Sequence, residues 1–204
     1  MPSPLKPLFA WMLAHGMGRY EQAMGERKRA LLAPLRGRVV EIGPGAGVNL
    51  HSFAPEVEWI GIEPNPWLHP YLQQEAARLG RTIDLRAGTA EALDLPDASV
   101  DAVVSTLVLC SVTDPARVLR EALRVLKPGG CFVFLEHVAA PRGSGLRRLQ
   151  RLLRPGWRVI ADGCRPDRET GTAIEQAGFR RVAIERFRGP VPVIRPHIAG
   201  VAEK

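Results

Sequence analysis

Three glycines at alternate positions, Gly43, Gly45 and Gly47, follow a run of β-branched residues in VVEIGPGAGVNL (Val39–Leu50). A strand that enters such a turn and then a helix start lets the backbone approach a ligand closely. N–H groups at a helix start suit an anionic or polar ligand group. The glycines run GxGxG, and Val48 occupies the position that would complete GxGxxG, which argues against a nicotinamide dinucleotide. Glu41 lies two residues before the first glycine, and Glu63 ends the next apolar run. A carboxylate roughly 20 residues beyond the glycine turn can accept hydrogen bonds from both hydroxyls of a ribose. A Gly-rich turn of purely structural use remains the alternative, and the pairing of turn and carboxylate weighs more than either part.

His137 closes the apolar run CFVFLEHV (Cys131–Val138), at the strand end where α/β folds bind ligands. An imidazole can accept a proton near neutral pH, so His137 is the candidate general base, with a hydrogen bond to the next loop as the alternative role. The three cysteines, Cys110, Cys131 and Cys164, form no CxxC pair. That argues against a disulfide framework or a zinc knuckle and suits a reducing compartment. No metal is expected, and Cys110 and Cys164 are expected to pack rather than act as nucleophiles.

These residues need a scaffold, and the chain alternates short apolar runs with amphipathic stretches, the pattern of a mostly parallel sheet covered on both faces. Strands are expected at Arg38–Gly43, Glu58–Pro64, Thr82–Gly88, Val100–Leu109, Cys131–Val138, Arg180–Phe187 and His197–Lys204. Asn65 and Pro66 are expected to open one helix, with Leu68, Leu72, Ala76 and Leu79 on its buried face and Gly80 as its stop. Asp114 and Pro115 open another, buried through Val118, Leu119, Ala122, Val125 and Leu126 and ended by Lys127–Gly130. A last helix is expected from about Asp167 to Gly178. The stretch before Arg38 reads as one or two helices broken at Gly16 to Gly18, and it carries Phe9, Trp11, Met12, Leu13, Tyr20 and Met24. It is either core packing or a lid that shields the site from water.

At 204 residues and 46% hydrophobic, the chain fits one folded domain. No apolar run reaches the roughly 20 residues of a membrane span, and LFAWMLA near the start has no cleavage site after it, so a cytoplasmic chain is expected. The net charge of +7 suits anionic partners or simply solvated arginines. The charge concentrates in SGLRRLQRLLRP (Ser144–Pro155), followed by Trp157. Its leucines either pack on the sheet with the arginines in solvent, or the segment 144–158 rests on an anionic membrane.

The order of these motifs resembles the class I S-adenosylmethionine-dependent methyltransferases. EIGPGAG resembles their motif I, GTAEALDLPDASVDAVV the segment that closes over adenine, and LKPGGCFVFLEH the turn and strand that follow. The resemblance spans about Arg38 to Val138. It implies a Rossmann-like α/β fold with a seven-stranded, mostly parallel sheet, and S-adenosylmethionine as cofactor. It implies that Gly43, Gly45 and Gly47 pack against the cofactor's amino-acid end, with Glu41 orienting its ammonium. Glu63 and Pro64 would face the ribose, and Thr89, Ala90 and Glu91 the adenine, with Leu107 beside them. Many relatives have Asp where this chain has Thr89. Tyr20 would be the cofactor-facing residue of the lid.

A closer resemblance, to the methyltransferase-like family whose eukaryotic members methylate alkyl thiols, rests on STLVLCSV (Ser105–Val112), FLEHVAA (Phe134–Ala140), DGC (Asp162–Cys164) with RET (Arg168–Thr170), and RPHIAG (Arg195–Gly200). Asp162 and His197 become secondary base candidates on this ground alone. Those eukaryotic members begin with an apolar membrane anchor, and no such run is present here. The implied organisation is a single domain: helical lid 1–37, cofactor-binding core 38–138, basic helical insertion 139–166, and C-terminal helix and strands 167–204. The expected acceptor is a small apolar molecule, best a thiol; a lipid or quinone is the alternative. A non-catalytic cofactor-binding protein at membranes is the reading from another class. A nucleic-acid acceptor is not expected, because the position of the NPPY-like tetrad reads STLV.

Overall fold

A computed structural model describes residues 5–204 of the chain; residues 1–4 of the expected lid lie outside the described residues. Seven strands form one sheet in the order β3-β2-β1-β4-β5-β7-β6. They are β1 (Arg38–Ile42), β2 (Glu58–Ile62), β3 (Asp84–Arg86), β4 (Val100–Thr106), β5 (Leu126–His137), β6 (Arg181–Arg188) and β7 (Pro196–Glu203). β1 to β5 pair in parallel, while β7 runs antiparallel to both β5 and β6. This is the seven-stranded, mostly parallel sheet that the sequence implies.

The central strands are apolar toward both faces because helices cover both. Val40, Ile42, Ile60, Ile62 and Val103 face α4 (Pro115–Val125) and α6 (Thr170–Glu175). Val39, Trp59, Ala102, Val104 and Val133 face α2 (Gly18–Leu32) and α3 (His69–Arg78). Phe132 is fully buried and stacks on both Phe134 and Phe179, at 5.8 and 5.7 Å between ring centroids. Truncating such a side chain to alanine costs about 3–5 kcal/mol.

Several boundaries differ from the expectation, each for a visible reason. Asn65 and Pro66 form a separate turn, with Asn65 Oδ1 accepting from the Trp67 N–H at 3.2 Å. α3 starts only at His69, because Pro70 has no N–H to carry the helical ladder back to residue 66. β4 stops at Thr106, where Leu107 turns to φ +58°. β5 begins at Leu126 rather than Cys131, so Lys127–Gly130 is an irregular start of the strand, with Gly129 at φ +78°. α6 is shorter than expected, since the backbone before it is engaged elsewhere: the Arg168 carbonyl accepts from the Ala139 N–H at 2.8 Å.

The break between α1 (Lys6–Gly16) and α2 falls at Met17, as the glycines imply. The basic segment forms α5 (Gly145–Ile160), capped by the Ser144 hydroxyl, which accepts from the Arg147 N–H at 3.1 Å. Its orientation reverses the packing alternative. The polar side faces inward: Gln150 Oε1 accepts from the Ala140 N–H at 2.8 Å, and its amide donates to the Val193 carbonyl at 3.0 Å. Arg147 is buried and pairs with Glu169. Leu149, Leu152 and Leu153 stand exposed, Leu152 at 77%.

Candidate active site

The C-terminal ends of β1, β2 and β4 open into one cavity of about 390 Å³. α1 and α2 close it from above with Phe9, Leu13, Met17, Glu21 and Lys28. Gly43 and Gly45, at φ +58° and +60°, carry the chain across its floor. A Cβ on Gly45 would come to 2.9 Å from Leu13 Cδ2, and one on Gly43 to 2.7 Å from Val108 Cγ2. Both positions favour glycine for their backbone conformation, and a Cβ at either would press on a neighbouring side chain. Gly47, at φ +82°, packs behind the turn on Leu50 and Leu72 instead of lining the cavity.

Glu63 reaches the cavity from the end of β2. Its Oε2 accepts from the Gly45 N–H at 3.0 Å and its Oε1 from the Asn65 N–H at 2.8 Å. Burial raises its pKa, against the lowering effect of those two N–H groups. Pro64, Thr89, Ala90, Glu91 and Leu107 also line the cavity. Glu91 Oε1 accepts from the Thr113 N–H at 2.8 Å, which ties the two loops of this wall together.

Besides Gly47, three more expected residues lie elsewhere. Glu41 is fully buried behind the wall: Oε1 accepts from Asn49 Nδ2 at 2.6 Å and Oε2 from Trp59 Nε1 at 3.0 Å. Burial drives its pKa up. Asn49 is the residue that meets the cavity, and its Oδ1 is buried without a partner. Tyr20 does not line the cavity; its hydroxyl donates to His197 Nε2 at 2.9 Å. Burial raises the tyrosine pKa and pulls His197 down to about 4, consistent with a neutral imidazole that accepts from Tyr20. His137 is 2% exposed and lies behind the cavity wall, with Nε2 3.1 Å from Cys164 Sγ.

The structure adds residues that the sequence reading missed. Glu21 and Lys28 form a 2.6 Å ion pair at the cavity, on the same face of α2 and about two turns apart. Thr106 and Ser111 face the cavity beside Asp162. Glu136, fully buried, accepts from the Ser105 hydroxyl at 2.7 Å and from the Val108 and Leu109 N–H groups at 3.1 and 3.2 Å. It thereby shapes the loop that carries Leu107 and Ser111. Burial raises its pKa as well.

A cavity at the strand ends, floored by a glycine turn, flanked by the Glu63 carboxylate and covered by helices, lies where a Rossmann-like α/β fold binds its ligand. Residues 40–134 match the methyltransferase domain family. A solved S-adenosylmethionine-dependent methyltransferase of Thermotoga maritima shares the fold at a TM-score of 0.67 and 24% identity, over 95% of this chain and 93% of that one. The chain has the fold of the class I S-adenosylmethionine-dependent methyltransferases.

The human thiol S-methyltransferase TMT1A is 35% identical over 98% of this chain and 87% of its own length. The rat TMT1B is 37% identical over the same shares. The chain belongs to this thiol S-methyltransferase family. The residues fit the cofactor: the unpartnered Asn49 Oδ1 offers an acceptor to an ammonium, and the glycine floor leaves room that any Cβ would fill.

Proposed function

We propose that this enzyme methylates the sulfur of a small apolar thiol. The observation that carries the reading is the apolar stretch of cavity wall formed by Leu13, Met17, Leu107, Val108 and Val112, which suits a small apolar acceptor. The similarity to thiol S-methyltransferases supports it. A thiol with pKa near ~8.5 is already a few per cent thiolate at neutral pH, so it needs little help to react. An oxygen, nitrogen or carbon acceptor usually demands a strong base at hand.

Bound S-adenosylmethionine supplies an electrophilic methyl group. Glu63 takes the ribose hydroxyls while keeping its two backbone N–H bonds. Asn49, held by Glu41, receives the amino-acid end, and Ala90 with Thr89 and Glu91 lines the adenine. α1 and α2 act as the lid and exclude water through Phe9, Leu13 and Met17. Positioning of this kind can supply about 7–11 kcal/mol of barrier reduction. Asp162 is the carboxylate at the acceptor end that can take up the thiol proton, and His137 shapes the site from behind the wall.

The exposed face of α5 supports peripheral contact with an anionic membrane, which would bring the enzyme to apolar acceptors. Leu149, Leu152, Leu153, Val159 and Ile160 are exposed among Arg148, Arg151, Arg154 and Arg158. α5 leads to Asp162 at the cavity, and α1 over the cavity exposes Leu8, Trp11 and Met12, so both helices present apolar side chains. No helix among the described residues is long and apolar enough to cross a membrane.

The direct test of acceptor class is a competition among a thiol, an alcohol and an amine of one carbon skeleton. Methylation confined to the thiol supports the reading. Methylation of the alcohol or amine at a comparable rate overturns it.

A further inference from the structure

Cys110, His137 and Cys164 are far apart in sequence, yet their donor atoms all lie within 4.8 Å of one another. Each comes from a different loop or strand end: Cys110 after β4, His137 at the end of β5, Cys164 after α5. All three are buried. We infer that they form a binding site for a thiophilic divalent cation, zinc being the ion the donors fit.

The chemistry of the donor set carries the inference. Two thiols and an imidazole make a soft S₂N set, the kind that selects zinc over magnesium or calcium. Zinc–sulfur and zinc–nitrogen bonds of about 2.3 and 2.0 Å at tetrahedral angles place donors roughly 3.5–3.8 Å apart. The observed cluster needs only small side-chain adjustments to meet those distances, starting from 3.1 Å between His137 Nε2 and Cys164 Sγ. Three protein donors leave one tetrahedral position for a further ligand, the arrangement of reactive rather than closed structural zinc sites.

His137 turns Nε2 toward Cys164, and its Nδ1, on the far side of the ring, is buried with no hydrogen-bond partner among the described residues. The third cysteine, Cys131, sits apart, half-buried on β5.

The location gives the site a consequence. Ser111 follows Cys110 and Asp162 precedes Cys164 by two residues, and both line the cavity. A cation bound here would clamp the two acceptor-side loops to β5. Each of the three donors lies in one of the segments STLVLCSV, FLEHVAA and DGC, which carry the resemblance beyond the shared cofactor motifs. The inference does not depend on which acceptor is methylated.

The test is metal analysis of the full chain, purified under reducing conditions without chelator or histidine tag, then dialysed against micromolar zinc and rinsed. About one zinc per chain is expected in the parent and in Cys131→Ser. Cys164→Ser and His137→Ala should fall to a small fraction of that. Cobalt in place of zinc should give near-ultraviolet sulfur-to-cobalt absorption in the parent. A reduced, folded parent that retains no zinc and shows no such band overturns the site, as does zinc content unchanged in both variants or lost in Cys131→Ser. The parent's own metal content decides even if a variant fails to fold.

Discussion

The Glu63 carboxylate accepts the Gly45 N–H at 3.0 Å, joining the end of β2 to the turn after β1. One side chain therefore holds the glycine floor in place and presents acceptor capacity to the cavity. Glu63→Ala should weaken S-adenosylmethionine binding by about 1–3 kcal/mol, through lost hydrogen bonds and a loosened turn. Calorimetric titration checks this, and an unchanged dissociation constant would remove Glu63 from the site.

Gly45→Val should abolish cofactor binding while the chain still folds. The residue sits at φ +60°, and a Cβ there approaches Leu13 within 2.9 Å. Gly45→Ala combined with Leu13→Ala relieves the contact but not the backbone strain, so binding should return only in part. Circular dichroism establishes folding, and calorimetry the affinity of each variant.

His197 links pH to stability. Burial lowers its pKa to about 4, from about 6.5 in an unfolded chain. Between these values the unfolded chain holds a proton that the folded one does not, so stability is lost as pH falls through that window. The slope from this group approaches about 1.4 kcal/mol per pH unit near pH 5. Denaturant unfolding from pH 7 to 4.5 should show His197→Gln losing less stability on acidification than the parent. Parallel curves would contradict the assignment.

Replacing Leu149, Leu152 and Leu153 together by serine should reduce sedimentation with vesicles containing phosphatidylserine. Turnover of a water-soluble thiol should stay unchanged, because these side chains point away from the cavity. Equal sedimentation of parent and variant would dismiss α5 as a membrane contact.

The sheet was legible because β1, β2 and β4 are short apolar runs closed by turn residues, and Asp114 with Pro115 announces α4 without ambiguity. The cavity floor was legible for a similar reason: Gly43 and Gly45 serve a local backbone need that shows in the sequence. Glu41 misled by one layer, since its place beside the glycines says nothing about Asn49 standing between it and the cavity. The α5 leucines misled because amphipathic periodicity identifies two faces but not which one docks, and here Gln150 satisfies backbone groups that leucine could not. Tyr20 with His197, and Cys110 with His137 and Cys164, are long-range meetings that only the closed sheet creates.

The central claim is methyl transfer to sulfur, and mass spectrometry with S-adenosylmethionine carrying a deuterated methyl group tests it most directly. Small aliphatic and aromatic thiols incubated with the purified chain should gain one labelled methyl on sulfur, and Gly45→Val should yield none. No labelled thioether from any thiol, with cofactor binding intact and label appearing instead in a lipid or quinone extract, would contradict the account.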